Sequence, residues 1–320
     1  MSSKLAVRKP LVMSLSARTL LLKLSDSHQL KALLTRNGMS QGVVRRFVAG
    51  ETLPEALNMA RALQAKRIRT ALDLLGENAG SEREASEATE AYLAVLEALG
   101  EANLRDGYIS VKLTALGLDQ SETVALSHLM RIANAARAQN NAFVRVDMEG
   151  SAYTQRTLTI VRAAHSAYAH LGTVLQSSLR RTDTDLQAMI DANIPIRLVK
   201  GAYAEGPHVA YPAKADVDKA YVRQMRMLLA SGIGGAIATH DEAILRDAKR
   251  FVREHRIPND RFEFQMLLGI RRDLQESLAQ EGYGVRAYVP FGRTWYPYFM
   301  RRLAERPANI GFILKNLARP

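Results

Sequence analysis

Eight short runs of β-branched or apolar residues recur between residues 68 and 289, and charged segments long enough for helices separate them. The predicted strands are Ile68–Leu75, Tyr108–Ala115, Ala142–Met148, Leu171–Gln176, Ile194–Val199, Gly235–Thr239, Phe262–Leu267 and Val285–Val289. The predicted helices between them include Glu82–Leu99, Glu122–Ala138, Thr157–His170, Lys219–Leu229 and Asp241–His255. Because parallel strands need crossover connections, this alternation predicts a parallel sheet.

The number of repeats indicates how this sheet is closed. Eight repeats in about 220 residues favour a (β/α)8 barrel of the TIM type. An open doubly wound sheet is the alternative, but its usual glycine-rich turn after the first strand is missing, since only Gly76 stands there. We therefore expect an α/β chain with its catalytic barrel in residues 67–320.

The residues before the barrel have a helical pattern. Apolar residues recur at helical spacing in Ser40–Phe47 and Leu53–Leu63, and Gly50 between them predicts a helix end. Thr52-Leu53-Pro54-Glu55 has the sequence of a capping box with proline in the first turn. We expect residues 1–66 to form a helical segment that packs on the barrel, with its basic N-terminal end retained as a helix.

Composition excludes several chemistries. The chain has no cysteine, so disulfides, thiolate metal sites, iron–sulfur clusters and a cysteine nucleophile are impossible, in agreement with a reducing compartment. No apolar run approaches the roughly 18 residues that a membrane span needs. The net charge of +12 favours polyanionic partners. The basic residues lack aromatic interleaving or a nucleic-acid motif, so we expect no nucleic-acid partner but allow contact with an anionic membrane.

Polar side chains lie at or near the carboxyl end of nearly every predicted strand. In a (β/α)8 barrel these positions meet at the catalytic face, at the carboxyl ends of the strands. They are Glu77, Lys112, Asp147, Glu149, Gln176, Arg197, Lys200, Thr239, His240, Asp241, Gln265, Tyr288 and Arg293. This concentration on one rim is the strongest physical indication that the chain is an enzyme.

The rim is rich in cations, which suits a carboxylate ligand or an anionic cofactor. A metal site is disfavoured, because His240-Asp241-Glu242 has no second histidine at ligand spacing. A serine-hydrolase elbow, a P-loop and a dinucleotide fingerprint are all missing. Lys200 leaves two readings open, either a Schiff-base nucleophile of an aldolase or lyase or a partner of an anionic group. A non-catalytic basic barrel that binds a polyanion is a further alternative.

Seven segments in order resemble successive motifs of the proline dehydrogenases. They are Ser110–Thr114, Val146–Glu149, Val174–Ser177, Arg197–Tyr203, Ala238–Asp241, Phe262–Leu267 and the Tyr298-x-x-Arg301-Arg302-x-x-Glu305 pattern. The resemblance runs from about residue 72 to the C-terminus and is closest to the monofunctional bacterial type. It implies a distorted barrel whose last helix, here Thr294–Ala304, lies over the top of the barrel.

The resemblance also implies roles for individual residues. Arg301 and Arg302 would clamp the proline carboxylate with help from Lys112, and Glu77 would form a gate with Arg301. The other substrate contacts would be Leu267, Tyr288 and Tyr298. Asp147 and Arg197 are the implied catalytic pair, with Asp147 orienting the cationic network. The implied cofactor-binding residues are Met148, Gln176, Arg197, Lys200, Gly201, Ala202, Thr239, His240, Gln265 and Glu305.

The implied activity is oxidation of L-proline to Δ1-pyrroline-5-carboxylate by hydride transfer to N5 of a bound FAD, the first step of proline degradation to glutamate. A membrane quinone would accept the electrons. We therefore expect a cytoplasmic protein that contacts the inner face of the cytoplasmic membrane through its basic surface.

Overall fold

The computed structural model describes residues 38–104 and 106–305 of the 320-residue chain. These residues divide into two compact units. One unit holds residues 49–292, and the other holds the described residues 38–48 and 293–305. The basic stretch at the start of the chain, which we expect to be helical, lies outside the described residues.

The helices and strands follow one another in the predicted alternation. The helices are α1 (Gly38–Phe47), α2 (Leu53–Gln64), α3 (Glu82–Glu101), α4 (Glu122–Ala138), α5 (Thr154–Ala167), α6 (Thr182–Asp191), α7 (Lys214–Ser231), α8 (Glu242–Glu254), α9 (Arg272–Gln280) and α10 (Trp295–Glu305). The strands are β1 (Arg69–Leu74), β2 (Tyr108–Val111), β3 (Val144–Val146), β4 (Leu171–Gln176), β5 (Ile196–Val199), β6 (Gly235–Ala238), β7 (Phe262–Leu267) and β8 (Val285–Phe291). A short 3-10 turn, Ser151–Tyr153, precedes α5.

The eight strands form one closed parallel barrel in chain order. The whole of β1 pairs with β8, with Arg69 opposite Arg286 and Leu74 opposite Phe291. Closure confirms the barrel prediction and excludes the open doubly wound sheet. Closure also brings the carboxyl ends of all eight strands to one rim.

Each strand presents one set of side chains to the barrel interior and the alternate set to the surrounding helices. On β2, Tyr108 and Ser110 both contact Arg197 of β5, which is not a neighbouring strand, so these side chains point inward. The alternate residues Ile109 and Val111 are fully buried in the apolar core. Burial of this outer apolar layer stabilises the barrel by roughly 25 cal/mol per Å² of apolar surface removed from water.

The predicted element ends needed correction at several places. β2 ends at Val111 instead of Ala115, and β3 covers only Val144–Val146. The reason is a contact between segments distant in sequence, since the backbone N–H of Thr114 is bonded to the Glu149 side chain instead of continuing a strand ladder. β8 extends to Phe291, two residues beyond its predicted end, because β1 continues to pair with it. Helix starts also shifted, as α7 begins at Lys214 instead of Lys219.

The capping box before α2 is confirmed. The Glu55 side chain accepts a hydrogen bond from the Thr52 backbone N–H at 3.1 Å, and Pro54 occupies the first turn. Gly50 has a φ of +143°, a region that favours glycine, and it stands between α1 and α2 as predicted. Among the residues that the structure describes, no helix has both the length and the apolar character needed to cross a membrane.

Candidate active site

Arg197 is the centre of a hydrogen-bonded network inside the barrel. Its Nε donates to Gln265 Oε1 at 2.6 Å, and one Nη1 proton goes to Asp147 Oδ1 at 2.7 Å. Its Nη2 donates to the hydroxyls of Tyr108 at 3.1 Å and Ser110 at 3.0 Å. Four of the five guanidinium N–H donors are thus used, which leaves one on Nη1 with no partner among the described side chains. The network therefore fixes a buried positive charge with one N–H still available.

Asp147 holds the same network together from β3. Its second oxygen, Oδ2, accepts a hydrogen bond from the Tyr288 hydroxyl at 2.7 Å. The Arg197 guanidinium carbon also lies 5.0 Å from the centre of the Tyr288 ring. Burial, with the nearby charges of Asp147 and Asp73, raises the pKa of Tyr288 well above its usual value. Tyr288 therefore stays protonated, and both Asp147 oxygens are occupied by donors.

Lys112 is paired with Asp73, a residue that was not among the predicted site residues. Its Nζ lies 2.6 Å from Asp73 Oδ1, and the side chains of Lys112 and Asp73 are only 11% and 2% exposed. Burial lowers the pKa of Lys112, but the charge of Asp73 outweighs burial and the net pKa is raised. Burial dominates at Asp73, whose pKa is raised in spite of the lysine. Lys112 thus forms a buried ion pair with Asp73.

The ends of β2 and β3 are tied together by a buried carboxyl group. Thr114 Oγ1 donates to Glu149 Oε1 at 2.5 Å, and the Thr114 backbone N–H bonds to Oε2 at 3.2 Å. Burial raises the pKa of Glu149, and the Thr114 bonds offset this only in part. The Glu149 backbone oxygen accepts from Gln176 Nε2 at 3.0 Å, which holds the predicted cofactor contact Gln176 at the end of β4.

Lys200 lies between two carboxylates at the end of β5. Its Nζ donates to Asp218 Oδ1 of α7 at 2.5 Å and to Asp241 Oδ2, at the start of α8, at 2.9 Å. Burial raises the pKa of both carboxyl groups, but the hydrogen bonds and charge of Lys200, together with Lys214, outweigh burial and lower both pKa values. A Schiff-base nucleophile needs a free lone pair, and this ammonium is engaged by two carboxylates. The geometry therefore favours the charge-pairing reading of Lys200.

The residues predicted after β6 and β7 are in contact with each other. His240 Nε2 accepts a hydrogen bond from the backbone N–H of Leu267 at 3.0 Å, so this nitrogen carries no proton. Thr239 is buried, and its hydroxyl accepts the backbone N–H of Asp241 at 3.1 Å. Met148, after β3, is also buried. Leu267 is half-buried at the end of β7.

The loop after β5 exposes its backbone where the sequence predicts cofactor contacts. Gly201 has a φ of +110°, and a Cβ there would lie 2.2 Å from Ser178 Oγ, so no other residue fits without rearrangement. Gly201 and Ala202 are exposed. Glu205, further along the loop, accepts the backbone N–H of Ser151 at 2.7 Å, which ties the loop to the segment after β3.

The predicted carboxylate clamp lies on α10, in the smaller unit. Tyr298 is buried, and the Arg302 guanidinium carbon lies 5.3 Å from the centre of its ring. Arg301 is half-buried on the next turn. Glu305 is the last residue of α10, and its side chain lies outside the described part of the chain. Glu77 is exposed just after β1. The proposed contact between Glu77 and Arg301 stays a prediction.

Several inward-facing residues were not predicted to be functional, because they lie along the strands and not at their carboxyl ends. They are Asp73, Tyr108, Ser110, Arg145, Glu263 and Arg286. The sequence does contain an indication of them, because alternate residues of a strand face the same side. Glu263 and Gln265 are polar residues two positions apart in an otherwise apolar strand, and so are Arg286 and Tyr288. The structure reveals no cluster of three or more histidine or carboxylate side chains suited to a metal within residues 38–104 and 106–305.

The closed parallel barrel, with cationic and polar groups gathered at the carboxyl ends of its strands, places the chain among the (β/α)8 barrel enzymes. The chain belongs to the proline dehydrogenase family, since the model of the family described as proline dehydrogenase matches residues 56–315. It is 44% identical over 273 residues to proline dehydrogenase 1 of Bacillus subtilis subsp. natto, covering 85% of this chain and 90% of that protein. It is 42% identical over 280 residues to the proline dehydrogenase of Deinococcus radiodurans, covering 86% of this chain and 90% of that protein.

Solved structures agree with the fold. The structure of proline utilization A from Bdellovibrio bacteriovorus, inactivated by N-propargylglycine, superposes with a TM-score of 0.80 at 23% identity. The match covers 91% of this chain and 36% of that protein, so the chain spans about a third of the larger protein. The expected barrel architecture is thereby confirmed.

Proposed function

We propose that this protein is an FAD-dependent proline dehydrogenase that oxidises L-proline to Δ1-pyrroline-5-carboxylate and passes the electrons to a membrane quinone. Membership of the family makes the chain an oxidoreductase that acts on proline with a flavin. The choice of FAD, the acceptor and the residue roles are our proposals. The observation that carries them is the immobilised Arg197, a buried positive charge with one N–H donor left over.

The residues present fit a flavin. Ser177 Oγ, directly after Gln176, is buried and has no hydrogen-bond partner among the described residues, as expected where a polar ligand supplies one. The exposed backbone at Gly201 permits close approach of a planar group. The residues that would hold the cofactor are Met148, Gln176, Arg197, Lys200, Gly201, Ala202, Thr239, His240, Gln265 and Glu305. When bound, the flavin supplies the acceptor for the hydride that leaves C5 of proline.

The substrate would be held by its carboxylate. Arg301 and Arg302 carry two guanidinium groups on adjacent positions of α10, and guanidinium forms bidentate bonds to carboxylate. Lys112 would assist, with its charge shared with Asp73. Leu267, Tyr288 and Tyr298 would pack against the pyrrolidine ring. Fixing the carboxylate and the ring together orients C5, which is the positioning contribution to catalysis.

Asp147 would act by orientation and not as a general base. One oxygen holds Arg197 and the other holds the Tyr288 hydroxyl, so neither is directed at a substrate proton. The reacting amine must then lose its proton to solvent before hydride transfer. We expect the turnover of proline to rise towards alkaline pH for this reason.

The acceptor proposal rests on surface charge. A net charge of +12 would draw the protein to an anionic bilayer, where a quinone is dissolved. The proposed location is the cytoplasm, with peripheral contact at the inner face of the cytoplasmic membrane. Quinone reduction should be faster with vesicles that contain phosphatidylglycerol than with neutral phosphatidylcholine vesicles, and equal rates would contradict the membrane role.

The cofactor and reaction are tested on the purified protein. Chromatography of the flavin released by denaturation should identify FAD, and o-aminobenzaldehyde should trap Δ1-pyrroline-5-carboxylate formed from L-proline. A purified protein without bound flavin would overturn the proposal. Release of FMN instead of FAD would overturn the choice of cofactor. Borohydride trapping of a carbonyl substrate on Lys200 would instead support the aldolase alternative.

A further inference from the structure

A second charged layer lies in the barrel interior, on the amino-terminal side of the proposed site. Arg286 Nε donates to Glu263 Oε1 at 2.8 Å, and its Nη1 bonds to the backbone oxygen of Thr70 at 2.9 Å. Arg145 Nη1 bonds only to backbone oxygens, of Thr173 at 3.0 Å and Pro195 at 2.7 Å. None of these groups has a part in the proposed reaction.

Tyr108 connects this layer to Arg197. Three guanidinium groups surround its ring, with the guanidinium carbons of Arg286, Arg145 and Arg197 at 4.1, 5.9 and 6.0 Å from the ring centre. The Tyr108 ring is buried, so water does not screen these charges. This is an unusual place for a neutral phenol.

The Tyr108 hydroxyl receives hydrogen bonds and donates none within the described part of the chain. It accepts from Arg197 Nη2 at 3.1 Å and from Gln265 Nε2 at 2.7 Å. The orientation of the Gln265 amide is fixed, because its oxygen accepts from Arg197 Nε and its nitrogen also faces Glu263. Both neighbours of the hydroxyl are therefore donors, and its own proton has no acceptor.

The charges of the layer do not balance while Tyr108 is neutral. Arg197 pairs with Asp147, and Arg286 pairs with Glu263. Arg145 has no carboxylate within ion-pair distance among the described residues, and its buried Nε has no partner. An uncompensated buried charge is costly, and a phenolate would supply the missing negative charge.

The remaining charged groups near Tyr108 do not change this balance. Arg69 lies 3.6 Å from Glu263 but is about half exposed, and Lys112 is neutralised by Asp73. Tyr288 stays protonated and donates its hydroxyl proton to Asp147. Burial raises the pKa of Tyr108, but the charges of Arg197, Arg145 and Arg286 outweigh burial and lower it below the usual value.

We propose that Tyr108 is the internal counter-anion of this arginine layer, a phenolate that releases its proton to solvent and positions Arg197 through a charge-assisted hydrogen bond. The consequence for catalysis rests on the proposed function, since Arg197 is assigned to the flavin and substrate site. Tyr108 is a positioning residue, because it acts through Arg197. The ionisation itself is independent of the reaction and can be measured without turnover.

The test is the ultraviolet difference spectrum between the wild-type holoenzyme and Tyr108→Phe. We expect the phenolate band of one tyrosine out of eleven to be present in the wild type below the pH at which free tyrosine ionises. Tyr221→Phe is the matched control, because Tyr221 is equally buried but its hydroxyl donates to the Leu198 backbone oxygen at 3.0 Å. The Tyr221→Phe control should retain the phenolate band. Absence of this band from the wild-type spectrum would overturn the proposal.

Arg145→Met keeps the test valid if Tyr108→Phe does not fold. Removing one charge at about 6 Å should move the phenolate band to higher pH by on the order of one to two units. An unchanged titration would overturn the proposed charge balance. In steady-state assays Tyr108→Phe should lower kcat several-fold and alter its pH profile while the KM for proline stays within about twofold. An unchanged kcat and pH profile would refute the positioning role, even if the band is found.

Discussion

Single residues in the barrel interior are held by complementary hydrogen bonds instead of by apolar packing. Arg197 donates four hydrogen bonds to four different side chains, and the two oxygens of Asp147 accept hydrogen bonds from two different side chains. Removing one partner from such a network leaves another buried polar group unsatisfied. The cost of a substitution therefore depends on the partners it leaves behind as well as on the group that is lost.

The carboxylate clamp predicts a selective loss of substrate affinity. Arg301→Met or Arg302→Met should raise the KM for proline by roughly 30- to 1,000-fold, since one charge-assisted contact contributes on the order of 2–4 kcal/mol. Flavin content, read from visible absorbance, should stay normal. Arg250→Met, on the exposed face of α8, is the control and should leave the KM within about twofold. Near-normal proline affinity in both clamp variants would refute the assignment.

The proposed gate predicts coupling between Glu77 and Arg301. Glu77→Ala should weaken proline binding modestly and speed ligand exchange, with flavin content unchanged. A double-mutant cycle with Arg301→Ala should give a coupling free energy above the about 0–1 kcal/mol of an exposed pair, because the pair would close over a dry site. The same cycle with Glu87→Ala, an exposed residue of α3, gives the background. Coupling equal to this background would rule out the gate.

At the scale of whole elements, the alternation of strands and helices was enough to predict the barrel. The order β1 to β8 and the strands β4 and β7 match the predicted bounds. The ends of β2 and β3 could not be predicted, because the contact between Thr114 and Glu149 joins residues 35 positions apart. In the sequence, the polar interior of the barrel is indicated only by polar residues at every second position of a strand, as at Glu263 and Gln265. Short strands contain too few residues for this alternation to be recognised.

In the loop after β5, we expect that replacing Gly201 weakens flavin binding. Gly201→Ala would place a Cβ 2.2 Å from Ser178 Oγ at a φ of +110°, at a strain of about 1–3 kcal/mol. The loop should shift, and the protein should lose flavin during gel filtration while its far-ultraviolet circular dichroism is unchanged. Gly42→Ala, in α1 with open space around its Cβ, should keep its flavin. Retention of flavin by the Gly201 variant would show that this loop does not hold the cofactor.

For the molecule as a whole, buried ion pairs make stability depend on pH. Burial raises the pKa of Glu263, but Arg286 outweighs burial and the net pKa is lowered below 4.5. A carboxyl group whose pKa is lower in the folded state stabilises the fold above its unfolded pKa, and this contribution is lost as the pH falls through the folded pKa. Acid should therefore weaken the inner layer of the barrel.

Glu263→Gln tests this contribution. At neutral pH the variant should lose about 3–5 kcal/mol of unfolding free energy in urea, because Arg286 is left buried without its partner. The difference from wild type should shrink as the pH falls from the unfolded-state pKa of Glu263 through its lower folded-state pKa, because Glu263 then becomes protonated in both states. Glu90→Gln, an exposed partner of Arg131, should change stability by less than about 1 kcal/mol. A pH-independent difference would contradict the assignment of the ion pair.

The clustering of polar side chains from different strands could be predicted from the sequence, whereas the contact that each of them makes could not. Asp147, Arg197, Gln265 and Tyr288 follow from their strand positions, and the structure brings all four into one network. The pairing of Lys112 with Asp73 depends on the register of β1 and β2 and on burial, which the sequence does not state.

The central claim is that this barrel binds a flavin and uses it to oxidise proline. The most direct measurement is anaerobic mixing of the purified protein with L-proline while the visible absorbance of its flavin is recorded. We expect the absorbance to bleach with a stoichiometric yield of Δ1-pyrroline-5-carboxylate, and Arg301→Met to need a far higher proline concentration for the same rate. A flavin spectrum that saturating proline leaves unchanged would contradict the account.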